Sequence, residues 1–476
     1  MEAVNLSVIS TLKDLGYNTV APEWYDRVVE WDSWYAGNVR DFHNYDVWNG
    51  QQMLECKRYS LGMAKKVCED WANLLMNEKV KITLEGEAEQ EFVDEVFTEN
   101  SFEVNINELQ EKGAARGTYA IIPRVVNVRV NGAGQIVDGG KIALDFITAL
   151  NIYPLTWVGR KITECAFASE IRVEDKKYTY LQLHVIENGK YVIRNKFYSS
   201  TDGGLNPVSA KEVKGYEYVP ESVMTGSEKP QFVIGRLNIA NNIDDLNPMG
   251  IAVFANAIDT LKGVDIAYDS YVNEFVLGKK RVMVKPEATK LMNGENAFDP
   301  NDLAYYVLPE DMNDGTIITP IDMSLRTAEH TQGLQDQLNM LSAKCGFGGR
   351  HYRFDQGSVS TATQIVSENS TLFRTIKKHE IILGDVLTTL CRILLRMGNN
   401  YAGKHLDEDV EISIDFDDSI IIDKAQEEER VYRMLAAGLM GPVEARSLLM
   451  NEDEETAAKA LPGMEAMTTE GQDEVE

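Results

Sequence analysis

The chain has 476 residues, is 44% hydrophobic and 26% charged, and carries a formal net charge of -28. That balance supports a substantial buried core, excludes a disordered or collagen-like polypeptide, and predicts two to four folding units at roughly 100 to 200 residues per domain. Net acidity excludes a high-affinity nucleic-acid clamp unless a basic stripe is segregated on one face. No run approaches the ~18 apolar residues of a membrane span, and the N-terminus lacks a secretory leader's basic and apolar regions, so a cytosolic chain with no membrane partner is expected.

The start is polar and rich in aromatics (Trp24, Tyr25, Trp31, Trp34, Tyr35, Trp48). From Ser60 to Met76, Leu61, Ala64, Val67, Trp71 and Leu74 recur at spacings of three and four, one face of an amphipathic helix. Between Lys79 and about Phe232 the pattern shifts to short β-like runs, such as Tyr119 to Val130 and Tyr178 to Val185, separated by NGAG, DGG, ENGK and TDGG turns. A helical insert is expected near Ala88 to Glu111.

Helical period returns at Gly250, where Phe254, Ile258, Leu261, Tyr268, Val272 and Phe275 form a near-heptad that Asp265 interrupts, and it ends around Gly278. Lys279 to Ser324 holds two β-like runs, RVMV and TIITPI. Helix resumes near Leu325, pauses at the glycine-containing GFGGRHYRFDQGS (Gly346 to Ser358), and continues from Thr361 to Met397 as one helix about 55 Å long. A strand-like run, Val410 to Ile422, precedes a helical acidic end. From Asp407 onward there are 21 Asp and Glu against 5 Lys and Arg, a balance of -16 that leaves -12 for the rest.

The chemistry-bearing motifs of common enzymes are missing. No GxxxxGK[ST] cradle, GxSxG elbow or dinucleotide glycine pattern occurs, so no enzymatic activity and no cofactor are expected. Five cysteines (Cys56, Cys68, Cys165, Cys345, Cys391) without CxxC spacing read as reduced and buried, and the six scattered histidines build no zinc site. The carboxylates Asp407, Asp409, Glu411, Asp415, Asp417 and Asp418 could hold Mg²⁺ in a metal-dependent nuclease or hydrolase, although the same composition suits a solvated acidic edge strand. Arg350, His351 and Arg353 place cations in the loop between two helices, where phosphate could be met; Lys279, Lys280 and Arg281 read as charges at a helix C-terminus. A scaffold or adaptor without DNA contact is a further alternative.

Two blocks, NPMGIAVFANAIDTLKGVDIAYDSYVNEFVLGKKRVMV (Asn247 to Val284) and SVSTATQIVSENSTLFRTIKKHE (Ser358 to Glu380), resemble the portal proteins of tailed bacteriophages, in particular the type of long-tailed phages of Gram-positive bacteria. WANLLMNEKVKI, GTYAIIP, ITALNIYP and DDSIIIDKAQEEER support it, so that the likeness spans about residues 20 to 460. The resemblance implies an α+β portal fold in a homo-oligomeric, usually twelve-fold ring around a channel for double-stranded DNA. It divides the chain into a β-rich wing (1–246), a stem helix (247–278), a small α/β clip (279–324), a returning stem helix (325–345), a tunnel loop (346–358), a long helix between wing and crown (359–400), a wing strand (401–425) and an acidic helical crown and tail (426–476). It also implies DNA contact by Arg350, His351 and Arg353 without base readout. Intersubunit stem packing by Phe254, Ile258, Leu261 and Phe275 is expected from the length of their apolar stripe. The implied partners are a large terminase ATPase, a head-completion or adaptor protein, and the major capsid and scaffold proteins. The implied place is the portal vertex of the virion, reached from the host cytoplasm.

Overall fold

The computed structural model describes residues 2–48, 52–77, 79–126, 129–130, 136–138, 140–201, 204–278, 281–284, 305–307, 318–321, 324–353, 362–416, 424–450 and 454–461. They divide into two compact units, Met1–Asp415 and Phe416–Glu476.

The first unit opens with α1 (Glu2–Asp14) and α2 (Pro22–Tyr35). The aromatic start becomes the buried face of α2, with Trp24, Tyr25, Val28, Trp31 and Trp34 inside. A short α3 (Arg40–His43) leads into the hairpin β1 (Asn44–Trp48) and β2 (Met53–Lys57). The Ser60 to Met76 stripe folds as α4 (Met63–Leu75), which buries Ala64, Val67, Cys68, Trp71, Ala72 and Leu75. After β3 (Lys81–Leu84), the expected insert is two helices, α5 (Glu87–Glu99) and α6 (Phe102–Arg116), because Ser101 turns left-handed (φ 47°) between them.

Strands β4 (Tyr119–Val126), β5 (Arg129–Val130), β6 (Ile136–Asp138) and β7 (Lys141–Thr148) precede β8 (Ile152–Val158), β9 (Lys161–Val173), β10 (Lys176–Glu187), β11 (Lys190–Thr201), β12 (Gly204–Val208), β13 (Ser222–Met224) and β14 (Val233–Gly235). An antiparallel sheet runs in the order β12-β11-β10-β9-β8, with β13 also on β11, and a second sheet is β14-β4-β7. The ENGK turn closes β10 onto β11 with Glu187 opposite Lys190, and Asn188 (φ 52°) and Gly189 (φ 81°) supply the two positive φ angles of a tight hairpin. The two sequence blocks around Gly117 and Gly250 cross here. A Cβ on Gly117 would lie 2.2 Å from the Gly250 carbonyl oxygen, and one on Gly250 2.2 Å from that of Gly117, so only glycine fits either position.

Helix α7 (Ile258–Leu277) is followed by β15 (Arg281–Val284), β16 (Tyr305–Val307) and β17 (Ile318–Ile321), a three-stranded sheet in which β15 pairs parallel with β16 and antiparallel with β17. α8 (Thr327–Lys344) returns antiparallel along α7, since Arg326 meets Glu274 while Gly263 faces Gln337. α9 (Ala362–Tyr401) is the expected long helix, 40 residues. β18 (Ile412–Asp415), far shorter than the run to Ile422, pairs with β3; residues 417–423 lie outside the described residues. The second unit contains α10 (Lys424–Ala436), α11 (Pro442–Met450) and α12 (Glu454–Lys459). Segregated helices and mainly antiparallel sheets make the fold α+β.

Four of the five cysteines are buried and Cys56 is partly exposed; all five are free thiols. His184 on β10 is fully buried, with its ring edge-on to Phe167 at 5.5 Å and Phe232 at 5.3 Å, and neither ring nitrogen has a hydrogen-bond partner. Burial pushes this imidazole down from 6.5 to about 3. The folded state therefore binds fewer protons than the unfolded state between these pH values, so stability holds above 6.5 and falls as the pH drops, by up to about 1.4 kcal/mol per pH unit. In His184→Leu the urea midpoint should fall less between pH 6.5 and 4.5 than in the parent, and parallel losses would show that His184 titrates normally.

Candidate functional site

The loop after α8 is anchored before it is free to move. At Gly346 (φ +91°) a Cβ would sit 3.0 Å from Thr375 Cγ2 and 3.3 Å from Trp71 Cζ2, so the chain slips between α9 and α4 only as glycine. Phe347 is 3% exposed. It stacks on the Trp71 indole at 4.8 Å, and His351 stacks on Phe347 at 4.4 Å with an 11° tilt. Trp71 Nε1 donates to the Cys345 carbonyl at 2.9 Å, and His379 of α9 meets the indole edge-on at 4.8 Å. Burial and the neighbouring Lys378 push His379 down to about 3, so it is a neutral acceptor for the Asn238 N–H at 3.0 Å.

Backbone bonds complete the anchor. Ser342 Oγ donates to the Gly348 carbonyl at 2.6 Å and accepts from the His351 N–H at 3.2 Å, while Gln335 Nε2 donates to the Tyr352 carbonyl at 2.6 Å. His351 Nε2 lies 3.5 Å from Asp70 Oδ2 on α4, and Lys66 Nζ lies 2.5 Å from Oδ1. Burial raises the Asp70 carboxyl, but hydrogen bonding from His351 and Lys66 outweighs it and holds the group below its usual range.

The three expected cations therefore occupy different settings. Arg350 is exposed, Arg353 is partly buried, and His351 is drawn back over Phe347 towards a carboxylate rather than projected as a free cation. Residues 354–358 of the expected tunnel loop lie outside the described residues. Glycines suggested a mobile loop throughout; the signal that was missed is the lone large apolar side chain, Phe347, set between them.

The four expected stem-packing residues also separate. Phe254 is fully buried and Leu261 is 3% exposed, both inside the subunit; Ile258 is partly buried, and Phe275 is 45% exposed. The apolar stripe does not run along one helix, because Asn247 to Ala257 is not α-helical. Gly250 N–H donates to Thr118 Oγ1 at 2.8 Å and Val253 N–H to the Ala114 carbonyl at 2.8 Å, which ties this segment to α6 and β4, with a 3₁₀ turn at Ala255–Ala257 before α7 begins. The helix expected over 247–278 is thus Ile258–Leu277.

Asp265, which broke the heptad in the sequence, is a fixed centre. It is 4% exposed; its Oδ1 accepts from the Leu61 N–H at 2.8 Å, and its Oδ2 from Ser60 Oγ and His43 Nε2, both at 3.0 Å. His43 Nδ1 accepts from the Val39 N–H at 2.8 Å, which leaves the ring proton on Nε2 to donate. One turn on, Asp269 Oδ1 accepts from the Tyr59 N–H at 3.0 Å. At the far end of α7, Glu274 takes Nε of Arg326 at 3.1 Å and Nη2 at 2.9 Å, and these bonds hold its carboxyl down to about 2.

The acidic strand does not converge. In β18 Ser413 and Asp415 are exposed, and Asp415 stands opposite Lys81. Asp407 Oδ1 accepts from the Asp409 N–H at 2.9 Å, and Glu408 pairs with Arg396 at 3.2 Å. Among the described residues no group of three or more His, Cys, Asp or Glu could share a metal ion, and no helix is long and apolar enough to cross a membrane. Asp417 and Asp418 lie outside them.

No curated protein matches the chain. A solved structure, the neck of a native GTA particle computed with C12 symmetry, is similar at 11% identity, covering 81% of this chain and 89% of that chain, with a TM-score of 0.38. The family model described as phage portal protein, SPP1 Gp6-like, matches residues 18–470. That match includes the Gly117 and Gly250 crossing, the α7–α8 pair and the anchored loop, and the chain belongs to the SPP1 Gp6-like phage portal protein family.

Proposed function

We propose that this portal protein acts as one subunit of a ring, by the family's usual count twelve-fold, at the capsid vertex, where it forms a passive channel for double-stranded DNA. The observation that carries this is the family match over residues 18–470. In this reading residues 1–246 are the wing and α7 and α8 the stem. The β15 to β17 sheet is the clip that meets the adaptor and terminase, 346–358 is the tunnel loop, and α9 joins wing to an acidic crown. The motor is the separate terminase ATPase; this chain supplies a conduit.

A conduit must let phosphates pass without holding them, since each neutralised phosphate adds salt-dependent affinity. A net charge of -28 meets that requirement. Arg350, exposed beyond the Phe347 anchor, can touch the backbone without reading bases, and Arg353 marks where the loop leaves its packed root.

Rings of Arg350→Glu, Arg353→Glu should assemble normally, because neither side chain belongs to the anchor. Their nonspecific DNA binding should lose about two units of log–log salt slope, close to 0.9 per phosphate contact, with fewer DNA-filled heads in a complementation assay. Parental numbers of filled heads would remove the loop from the DNA path.

A further inference from the structure

The β1–β2 hairpin belongs to no larger sheet. Two strands alone are marginal in water, and this pair is anchored only at its root, where the Arg58 guanidinium lies 4.3 Å over Phe42 and 4.7 Å over Tyr45. It nevertheless exposes large apolar side chains in register. Val47 (42% exposed) stands opposite Leu54 (39%), and Trp48 (60%) opposite Met53 (58%). Between them Asp46 stands directly opposite Glu55, a like-charge pair that weakens a hairpin, and neither carboxylate has an ion-pair partner among the described residues. A partner that is both apolar and cationic is missing.

The same chain carries such a surface elsewhere. Trp157 Nε1 donates to the Leu246 carbonyl at 3.1 Å, and Leu246 is 83% and Val158 76% exposed. Beside them Arg160 donates only to the Ile239 carbonyl at 3.1 Å. Arg236 donates to the carbonyls of Arg160 at 3.1 Å and Pro248 at 2.9 Å, while its buried Nε has no partner. No carboxylate pairs with either arginine among the described residues, so this corner holds uncompensated positive charge. No hydrogen bond or ion pair joins hairpin and corner within the subunit.

From these two patches we infer that the β1–β2 hairpin of one subunit docks on the Trp157, Arg160, Leu246 corner of the next copy of this chain, with Asp46 and Glu55 set against Arg160 and Arg236. Two different patches that complement each other in charge and apolar surface make a heterologous contact, the kind that closes into rings. The inference rests on the ring reading above and names a contact within it.

Charge exchange tests it. Asp46→Lys with Glu55→Lys, or Arg160→Glu alone, should raise the protein concentration needed for ring assembly by about tenfold or more, read by native mass spectrometry and light scattering at low salt. The triple variant should return to within about threefold of the parent, because the exchanged charges meet again. Unchanged assembly by both partial variants, or no recovery in the triple variant, overturns the contact while leaving the ring intact. A parent that forms no ring at any concentration overturns the ring reading instead. As a check independent of assembly yield, Asp46→Cys, Arg160→Cys should give a ladder of cross-linked subunits on oxidation, and monomer alone counts against the contact.

Discussion

Replacing Asp265 with Ala lowers the stability of the portal subunit by about 3–5 kcal/mol, the largest loss expected of any single polar substitution here. The carboxylate is 4% exposed and gathers the Leu61 N–H, the Ser60 hydroxyl and the His43 Nε2–H from the segments flanking the hairpin and leading into α4. Truncation removes the common acceptor and leaves three donors facing a dry cavity, and each orphaned group costs roughly 1–3 kcal/mol. Asp265→Asn keeps one acceptor oxygen and should lose less, with the order parent, Asn, Ala in urea midpoint. An Ala variant as stable as the parent would mean that water satisfies these donors.

Trp71→Ala should cost a further about 3–5 kcal/mol as a fully buried aromatic deletion, and its second consequence concerns the channel. The indole is the surface on which Phe347 stacks, it donates to the Cys345 carbonyl, and it touches His379 of α9, so three separate segments lose their common partner. The loop root then unpacks, and tryptic cleavage after Arg350 and Arg353 should accelerate at least tenfold, since proteolysis follows the opened population. Phe347→Ala should accelerate the same cleavages with a smaller stability loss. Trp71→Phe preserves the stack but lacks the donor; it should cost about 1 kcal/mol and leave the loop resistant. Slow cleavage in both Ala variants would show that other contacts hold the root.

The amino-acid sequence determines the elements whose period is long and uninterrupted. The α4 stripe, the span of α8 and the 40-residue α9 can be read from apolar spacing alone, and ENGK specifies its hairpin because Asn188 and Gly189 accept positive φ. The quoted blocks also identify the family. Where α7 starts was decided by tertiary structure. The apolar period runs on through Phe254, but the Gly117 and Gly250 backbones approach too closely for a helix to form there, and distant glycines do not register in local spacing. Asp265 reads as a fault in a heptad until three donors, 204 to 222 residues away in the chain, converge on it. The loop separates for the same reason. Its glycines announce conformational freedom, but that freedom is spent in placing Phe347 on Trp71, a contact between residues far apart in sequence that no local pattern encodes.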